Sequence, residues 1–324
     1  MKPILLDIHT HQVPIDAEAL AEIEGVSWDA AANALLVDRH KIGIRSLFQP
    51  GALIAWLDAN RIAQAWISAP PPLYRRQLAE QDAARWVQYV NHGLAAITRR
   101  HAGRLTALPH LPIEHPDLAA DIAARGIAGG ARRFSAPSGG PVSMLSDPRY
   151  DALWRVLNGV GAFVLVHPGE CDDARLRPFY LSNLLGNPYE TTVAIAHLVF
   201  GGVTARFPDI TFCFAHGGGA AAMLAGRFEQ GFRTDRPGVD TALPSPRTAL
   251  RNLTVDCITH DVDALRLAQT VFGTDGILFG SDWPFPMGLM RPHEQLASLS
   301  ETERERILGA NTARFSGDAQ TDGA

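Results

Sequence analysis

Two histidines one residue apart, His9 and His11, close the apolar run Ile4-Leu5-Leu6-Asp7-Ile8 near the start of the chain. Side chains alternate faces along a strand, so residues at i and i+2 point the same way and offer two imidazoles to one ion. Taken alone, the pair reads equally well as one solvated ring and one ring bonded to a backbone carbonyl, because histidine ligates metal only when neutral and oriented. Three later segments repeat the design: Ala162 to Val166 runs into His167, Ile210 to Ala215 into His216, and Ile277 to Ser281 into Asp282. Each run is short, continuous and rich in Val, Ile, Leu or Phe, as in a parallel strand buried on both faces. The candidates therefore stand at the carboxyl ends of strands, where parallel α/β architectures place their active sites.

The elements that must position them follow from periodicity. Strand-like runs fall near 4–9, 62–69, 104–111, 127–134, 162–167, 210–216, 253–259 and 277–282, and helix-length segments at 51–61, 77–101, 116–125, 147–160, 187–206, 219–233, 261–272 and 293–309. In the fourth helix Leu153, Val156, Leu157 and Val160 form one apolar stripe that packs on a sheet. Eight strand–helix alternations argue for a (β/α)8 TIM barrel rather than a doubly wound sheet. Residues 1–315 read as a single barrel domain and 316–324 as a frayed tail. Residues 12–50 lack the repeat and form an insertion after strand 1, while Pro70-Pro71-Pro72 and Pro137 to Pro141 mark loops on the same face as the histidines.

The composition narrows the class. With 324 residues, 46% hydrophobic and 19% charged, the chain can bury a barrel-sized core, and a net charge of −5 gives no basic stripe for nucleic acid. Three cysteines, Cys171, Cys213 and Cys257, are too few and too far apart for a disulfide scaffold or a zinc knuckle. No signal-peptide pattern and no run of ~18 apolar residues occurs, so a cytoplasmic protein without a membrane partner is expected.

Asp7 to His11, Val166-His167-Pro168, Ala215 to Gly219 and Gly280 to Pro286 together resemble the amidohydrolase superfamily in order and strand position. The resemblance is closer to its decarboxylase branch, the family of the 2-amino-3-carboxymuconate-6-semialdehyde decarboxylases. Asn187 to Thr192, Gly201-Gly202-Val203 and Arg206-Phe207-Pro208 match that branch between strands 5 and 6. The resemblance implies one divalent ion, zinc with manganese as the alternative, held by His9, His11, His167 and Asp282, and no organic cofactor. Three imidazoles and a carboxylate suit zinc, with an open position for catalysis. It also implies His216 as the acid/base, Asp282 as a ligand that takes part in proton transfer, and Arg227 as a guanidinium reaching the substrate carboxylate of a neighbouring subunit, hence a homodimer. Arg45 matches a second carboxylate-binding arginine, with Lys41 in competition. Arg132 and Arg133 face the mouth if strand 4 ends there.

Several histidines fit no motif. His110 and His260 follow strands 3 and 7 and face the pocket by position, whereas His40, His92, His101, His115, His197 and His293 read as solvated or structural. After His167 the chain has Gly169-Glu170-Cys171-Asp172 where the branch carries an aromatic residue and an acid. Glu170, Asp172 and Asp173 disfavour a highly anionic substrate unless arginines outweigh them. The implied activity is metal-dependent, non-oxidative decarboxylation of an unsaturated or aromatic carboxylic acid. The same ligands serve a hydrolase of a lactone, amide or ester, in which metal-activated water attacks a carbonyl. The lack of a strand 4 lysine to bridge two metals favours a mononuclear site, and a non-catalytic barrel would have lost ligands.

Overall fold

In the computed structural model, which describes residues 2–140, 144–169 and 171–315, the apolar runs become parallel strands. The tail Ser316 to Ala324, Glu170 and Pro141 lie outside the described residues. In chain order the strands are β1 (Ile4–His11), β2 (Val26–Asp29), β3 (Ala34–Val37), β4 (His40–Ile42), β5 (Ile62–Ser68), β6 (Leu105–Ala107), β7 (Arg133–Pro137), β8 (Phe163–His167), β9 (Thr211–Phe214), β10 (Thr254–Asp256) and β11 (Ile277–Leu278). One parallel sheet has the order β1-β5-β6 and another β11-β10-β9-β8-β7. Parallel bridges join their edges, His110 with Ser135 on one side and Thr10 with Trp283 on the other. Backbone bonds reinforce the second seam, Ile8 N–H to Phe279 O at 3.0 Å and His11 N–H to Trp283 O at 2.8 Å. Eight strands thus close into a barrel, with β2, β3 and β4 as an antiparallel meander inside the insertion.

The core has two layers. Leu6, Ile8, Trp66, Leu108, Phe163, Leu165, Cys213 and Leu278 form a cluster of their own that fills the barrel, and a larger cluster lies between strands and helices. The helix Asp151–Asn158 shows how the second layer forms: Leu153 and Leu157 are fully buried, and Val156 and Val160 pack against the same core. The helix Val262–Phe272 starts where the Asp261 carboxylate accepts the Asp263 and Ala264 N–H groups, a cap worth about 1 kcal/mol, and buries Leu265, Ala268 and Phe272 on one face.

The fourth strand lies further along than its apolar run suggests. Ile127 and Ala128 end the helix Pro116–Ala128, and β7 begins only at Arg133. Arg132 and Arg133 therefore sit at the amino end of their strand, opposite the site, which corrects the expectation that they face the mouth. Arg133 instead stacks over Trp66, 5.1 Å from its ring centroid, and donates to Phe315 O at 3.3 Å, closing the floor of the barrel. Arg132 bonds the carbonyls of Ile127 and Ala131.

The insertion is held down from its tip. β3 and β4 are joined by Asp38 and Arg39, both at positive φ, the two-residue turn whose twist matches a hairpin. Buried Arg75, in the loop after β5, donates to both Asp38 oxygens at 2.8 and 2.7 Å and to Glu24 O at 2.8 Å. No helix among the described residues is long and apolar enough to cross a membrane.

Candidate active site

At the carboxyl ends of the strands, one nitrogen each from His9, His11 and His167 and one oxygen of Asp282 lie within 4.8 Å of one another, all four side chains buried. The pairing of β1 with β5 shifts register between Asp7 and Thr10. Such an irregularity changes which face later residues occupy, so Leu6 and Ile8 line the barrel interior while His9 and His11 still turn into the site above it. The opposite wall is zipped to this segment: Asp282 N–H donates to His9 O at 2.8 Å, and Ser281 N–H to Asp7 Oδ1 at 3.0 Å. Gly280 permits the contact, since a Cβ there would stand 2.8 Å from His9 Cβ and 3.0 Å from Asp256 Cβ.

Each ligand ring has its other nitrogen occupied. His9 Nδ1 donates to Asp256 Oδ2 at 2.8 Å, and His167 Nδ1 to Pro168 O at 2.8 Å. Ser68 Oγ donates to Thr10 O at 3.2 Å, which leaves it to accept from His11 Nδ1 at 3.1 Å. When the rings are neutral, as ligation requires, the three Nε2 atoms are thereby left as lone pairs aimed at one point. His9 Nε2 and His11 Nε2 are 3.1 Å apart, and Asp282 Oδ1 lies 3.4 Å and 3.0 Å from them. His167 Nε2 and Asp282 Oδ1 are buried without a hydrogen bond. Converging lone pairs beside a carboxylate repel unless a cation stands among them, so the residues present fit one divalent ion. This is a metal-binding site, and its tautomers are set by the groups behind the rings.

Protonation agrees. Burial lowers His11 and takes His167 well below the usual imidazole range, keeping both in the ligating form. Burial opposes the ionisation of Asp282, but the imidazoles of His11, His216 and His9 outweigh it and hold the carboxyl well below the usual range. Burial also works against a charge on His9, yet Asp256 and Asp282 together push it up to about 10, so an entering ion must displace a proton there.

His216 stands beside this cluster rather than in it. Its Nε2 is 3.6 Å from Asp282 Oδ2, and its Nδ1 is buried without a partner. The residue has φ 55°, followed by glycines 217, 218 and 219, all at positive φ. Only glycine fits at 219, where a Cβ would meet Pro188 O at 2.3 Å. This turn is pinned by Asp256, which accepts the His216 N–H at 2.9 Å, the Gly217 N–H at 2.8 Å and the Ile258 N–H at 3.0 Å. One carboxylate thus orients a metal ligand and the loop of the neighbouring histidine. Sequence reasoning passed over Asp256; its signal was an acid inside the apolar run Leu253 to Ile258, a charge that burial tolerates only with several donors.

A cavity of about 1100 Å³ opens over His167, His216 and Asp282. Met223, Ile258, Leu267, Phe285 and Met287 supply apolar wall, the segment after β8 supplies Arg177, Ser182 and Asn183, and Asn187 stands at the start of the helix Asn187–Phe200. His260 lines it as its position suggested, and so does His40, which sequence reasoning assigned to a solvated or structural role. His110 does not: it is buried, stacked on Tyr74 with centroids 4.9 Å apart, and neither nitrogen has a hydrogen-bond partner. Arg227 and Arg45 are exposed and do not line the cavity of their own chain. Arg227 follows Met223 by one helical turn in Ala221–Arg233, so the two share a face, and Met223 is 77% exposed. Lys41 is exposed in β4. Asp173 faces the cavity but is neutralised by Arg175, whose Nε lies 2.9 and 3.0 Å from its oxygens.

Known proteins resemble the chain along nearly its whole length. The 2-amino-3-carboxymuconate-6-semialdehyde decarboxylase of Dictyostelium discoideum is 29% identical over 98% of this chain and 92% of that protein. The structure of the Metarhizium anisopliae IDCase superposes with a TM-score of 0.82 at 22% identity, covering 98% of each chain. The 5-carboxyvanillate decarboxylase of Novosphingobium aromaticivorans, complexed with manganese and a nitrobenzoic acid, gives 0.76 at 17% identity over 96% of each chain. These likenesses agree with the barrel, and the amidohydrolase family profile matches residues 6–317: the chain belongs to the amidohydrolase family.

Proposed function

We propose that the protein is a metal-dependent, non-oxidative decarboxylase of an unsaturated or aromatic carboxylic acid. The observation that carries this reading is a single buried three-histidine, one-aspartate site, flanked by an unpartnered histidine nitrogen and opening on a largely apolar cavity. The whole-length likeness to a decarboxylase supports it. A bound divalent ion supplies positive charge that draws a substrate oxygen and stabilises negative charge as it develops. The donor set favours zinc, and metal analysis of the purified protein separates it from manganese.

The chain's own residues supply the rest. The apolar wall holds an unsaturated or aromatic body and keeps water from the reacting carbon. His216, fixed at its backbone by Asp256 and lying 3.6 Å from Asp282, is the group that holds a proton and delivers it to that carbon. Protonation there and cleavage of the bond to the carboxyl carbon release carbon dioxide, replacing a carboxylate by hydrogen; His216 then regains its proton from solvent. Asp282 couples the metal site to His216 through its second oxygen.

Arg227 is our candidate for binding the substrate carboxylate of a partner subunit. Its exposed helix face, with Met223 on it, and exposed Phe179, Tyr180, Leu184 and Leu185 near the same mouth suit a homodimer. Arg45 is the second candidate: its turn is tied beside the ligand strand by Gln12 Nε2 to Ser46 O at 3.3 Å and Val13 N–H to Leu47 O at 2.8 Å. A cytoplasmic location goes with the free thiols of Cys171, Cys213 and Cys257. A panel of unsaturated and aromatic acids against lactones and amides, run with metal-loaded protein, tests the reading. Carbon dioxide from an acid supports it; turnover confined to lactones or amides replaces it with the hydrolase.

A further inference from the structure

The cavity over the metal ligands has two unlike walls. Its volume, about 1100 Å³, is at the top of the range for small-molecule sites and exceeds what the reacting end of an acid fills. Apart from Asp282, the carboxylate and guanidinium groups of its described lining, Asp172, Asp173 and Arg177, all stand on the segment after β8. The wall after β10 carries none of them. There Ile258 leads into Thr259, whose hydroxyl donates to Asp261 O at 2.8 Å, and then into exposed His260. The helix Val262–Phe272 that follows has two apolar faces. Leu265, Val271 and Phe272 turn into the core, whereas Ala264, Leu267 and Ala268, at i, i+3 and i+4, line the cavity. Ala264 and Leu267 are exposed, so the protein's own core does not cover this stripe. Gly217, Gly219 and Ala222 contribute nothing larger than a methyl group to the lining, which leaves this arm of the cavity open.

Water held against such a wall finds few hydrogen-bonding partners, so an apolar group that displaces it gains affinity. Resting on the acid-decarboxylase reading, we propose that this arm binds a hydrocarbon extension of the substrate, so that the preferred acid carries an apolar chain of several carbons beyond its unsaturated group. The acid that reacts sits over the metal ligands, and the chain runs past Ile258 onto the stripe of Ala264, Leu267 and Ala268. A polar or charged extension would lose its hydration there without finding a partner. Met223, at the exposed edge, also belongs to the face assigned above to the partner subunit. Ile258, Ala264 and Ala268 instead share one cavity with His216 and Asp282, and this continuity assigns the arm to the substrate.

The test is calorimetric titration of zinc-loaded protein with trans-2-butenoate and trans-2-octenoate, which share the unsaturated acid and differ by four methylenes. Each buried methylene is worth about a factor of four, so full burial sets a ceiling of about 250-fold. Ordering the chain lowers it, and the longer acid should bind about 10- to 100-fold more tightly. Ala264→Phe, which places a ring in the arm, should remove most of that margin while zinc content stays as in wild type. Ala264→Gly leaves the arm open and should keep the margin. Leu267→Asn puts an amide on the same wall and is a second route to the loss. Ala264 and Leu267 are both exposed, so these variants leave the core stripe of the helix intact. A margin that survives in Ala264→Phe, or a wild-type protein that binds both acids equally, overturns the proposal while leaving the acid reading intact. If neither acid binds, the acid reading itself fails and takes the proposal with it.

Discussion

Replacing Asp256 by asparagine exchanges one carboxylate oxygen for an amide nitrogen and should uncouple the metal site. The two carboxylate oxygens accept four donors: Oδ2 takes His9 Nδ1 at 2.8 Å and the His216 N–H at 2.9 Å, and Oδ1 takes the N–H groups of Gly217 at 2.8 Å and Ile258 at 3.0 Å. An amide has one acceptor oxygen and one donor nitrogen. With its nitrogen toward Gly217 and Ile258 it would leave two backbone donors unmet, which cannot adapt. With its nitrogen toward His9, only the His216 N–H loses its acceptor, because the imidazole can move its proton to Nε2 and accept at Nδ1. The second arrangement is therefore expected, and it keeps a proton on the nitrogen that must ligate the ion even when the ring is neutral, whereas Asp256 holds the neutral ring's proton on Nδ1. Zinc affinity should fall about 10- to 100-fold, or about 1.4–2.7 kcal/mol, as for other groups that orient a metal-bound histidine. The unmet His216 N–H should destabilise the metal-free protein by about 1–3 kcal/mol. Competition against a chromophoric chelator measures the first effect and urea unfolding the second. Ser68→Ala, which removes a neutral partner from His11, should cost less affinity. An Asp256→Asn protein that holds zinc as tightly as wild type would refute the claim that this carboxylate sets the tautomer of His9.

His216→Ala should retain the metal while losing about 10²- to 10⁴-fold in turnover, the range for a general acid/base; a purified variant without metal would make His216 a ligand. If Arg227 reaches a partner's substrate, mixing His9→Ala with Arg227→Ala protomers should restore one working site per dimer, and confirmed hybrids without activity would confine Arg227 to its own chain. Burial lowers His110 to about 3, so between about pH 6.5 and 3 the unfolded chain binds a proton that the folded chain refuses, and stability falls as pH falls. His110→Phe keeps a ring against Tyr74 and removes that term. Unfolding free energies of the metal-free proteins from urea titration should therefore shift in favour of the variant by about 2 kcal/mol between pH 7 and pH 5, and an unchanged difference would mean that His110 is already protonated or solvated.

Much of the site could be read from the chain because each ligand stands at or near the end of a buried apolar run long enough to recognise. His9, His11, His167 and Asp282 meet where their strand ends placed them. What escaped depends on contacts between loops. Asp256 is marked only by being an acid within an apolar run; its importance appears when His9 and the His216 turn converge on it. The register shift in β1 is equally hidden, since spacing of two shows that His9 and His11 share a face without showing which. The fourth strand was displaced because Ile127 and Ala128 are as suitable for the last turn of a helix as for a strand. Residues 12–50 conceal a meander of three- and four-residue strands, too short for alternation to stand out.

Decarboxylation and hydrolysis share the same metal site, and solvent isotopes separate them most directly. Turnover of an acid substrate in heavy water should release carbon dioxide and place one deuterium on the carbon that carried the lost carboxylate, because His216 delivers a proton drawn from solvent. A product that instead carries ¹⁸O from labelled water, formed without carbon dioxide, would contradict the decarboxylase account and assign the centre to hydrolysis.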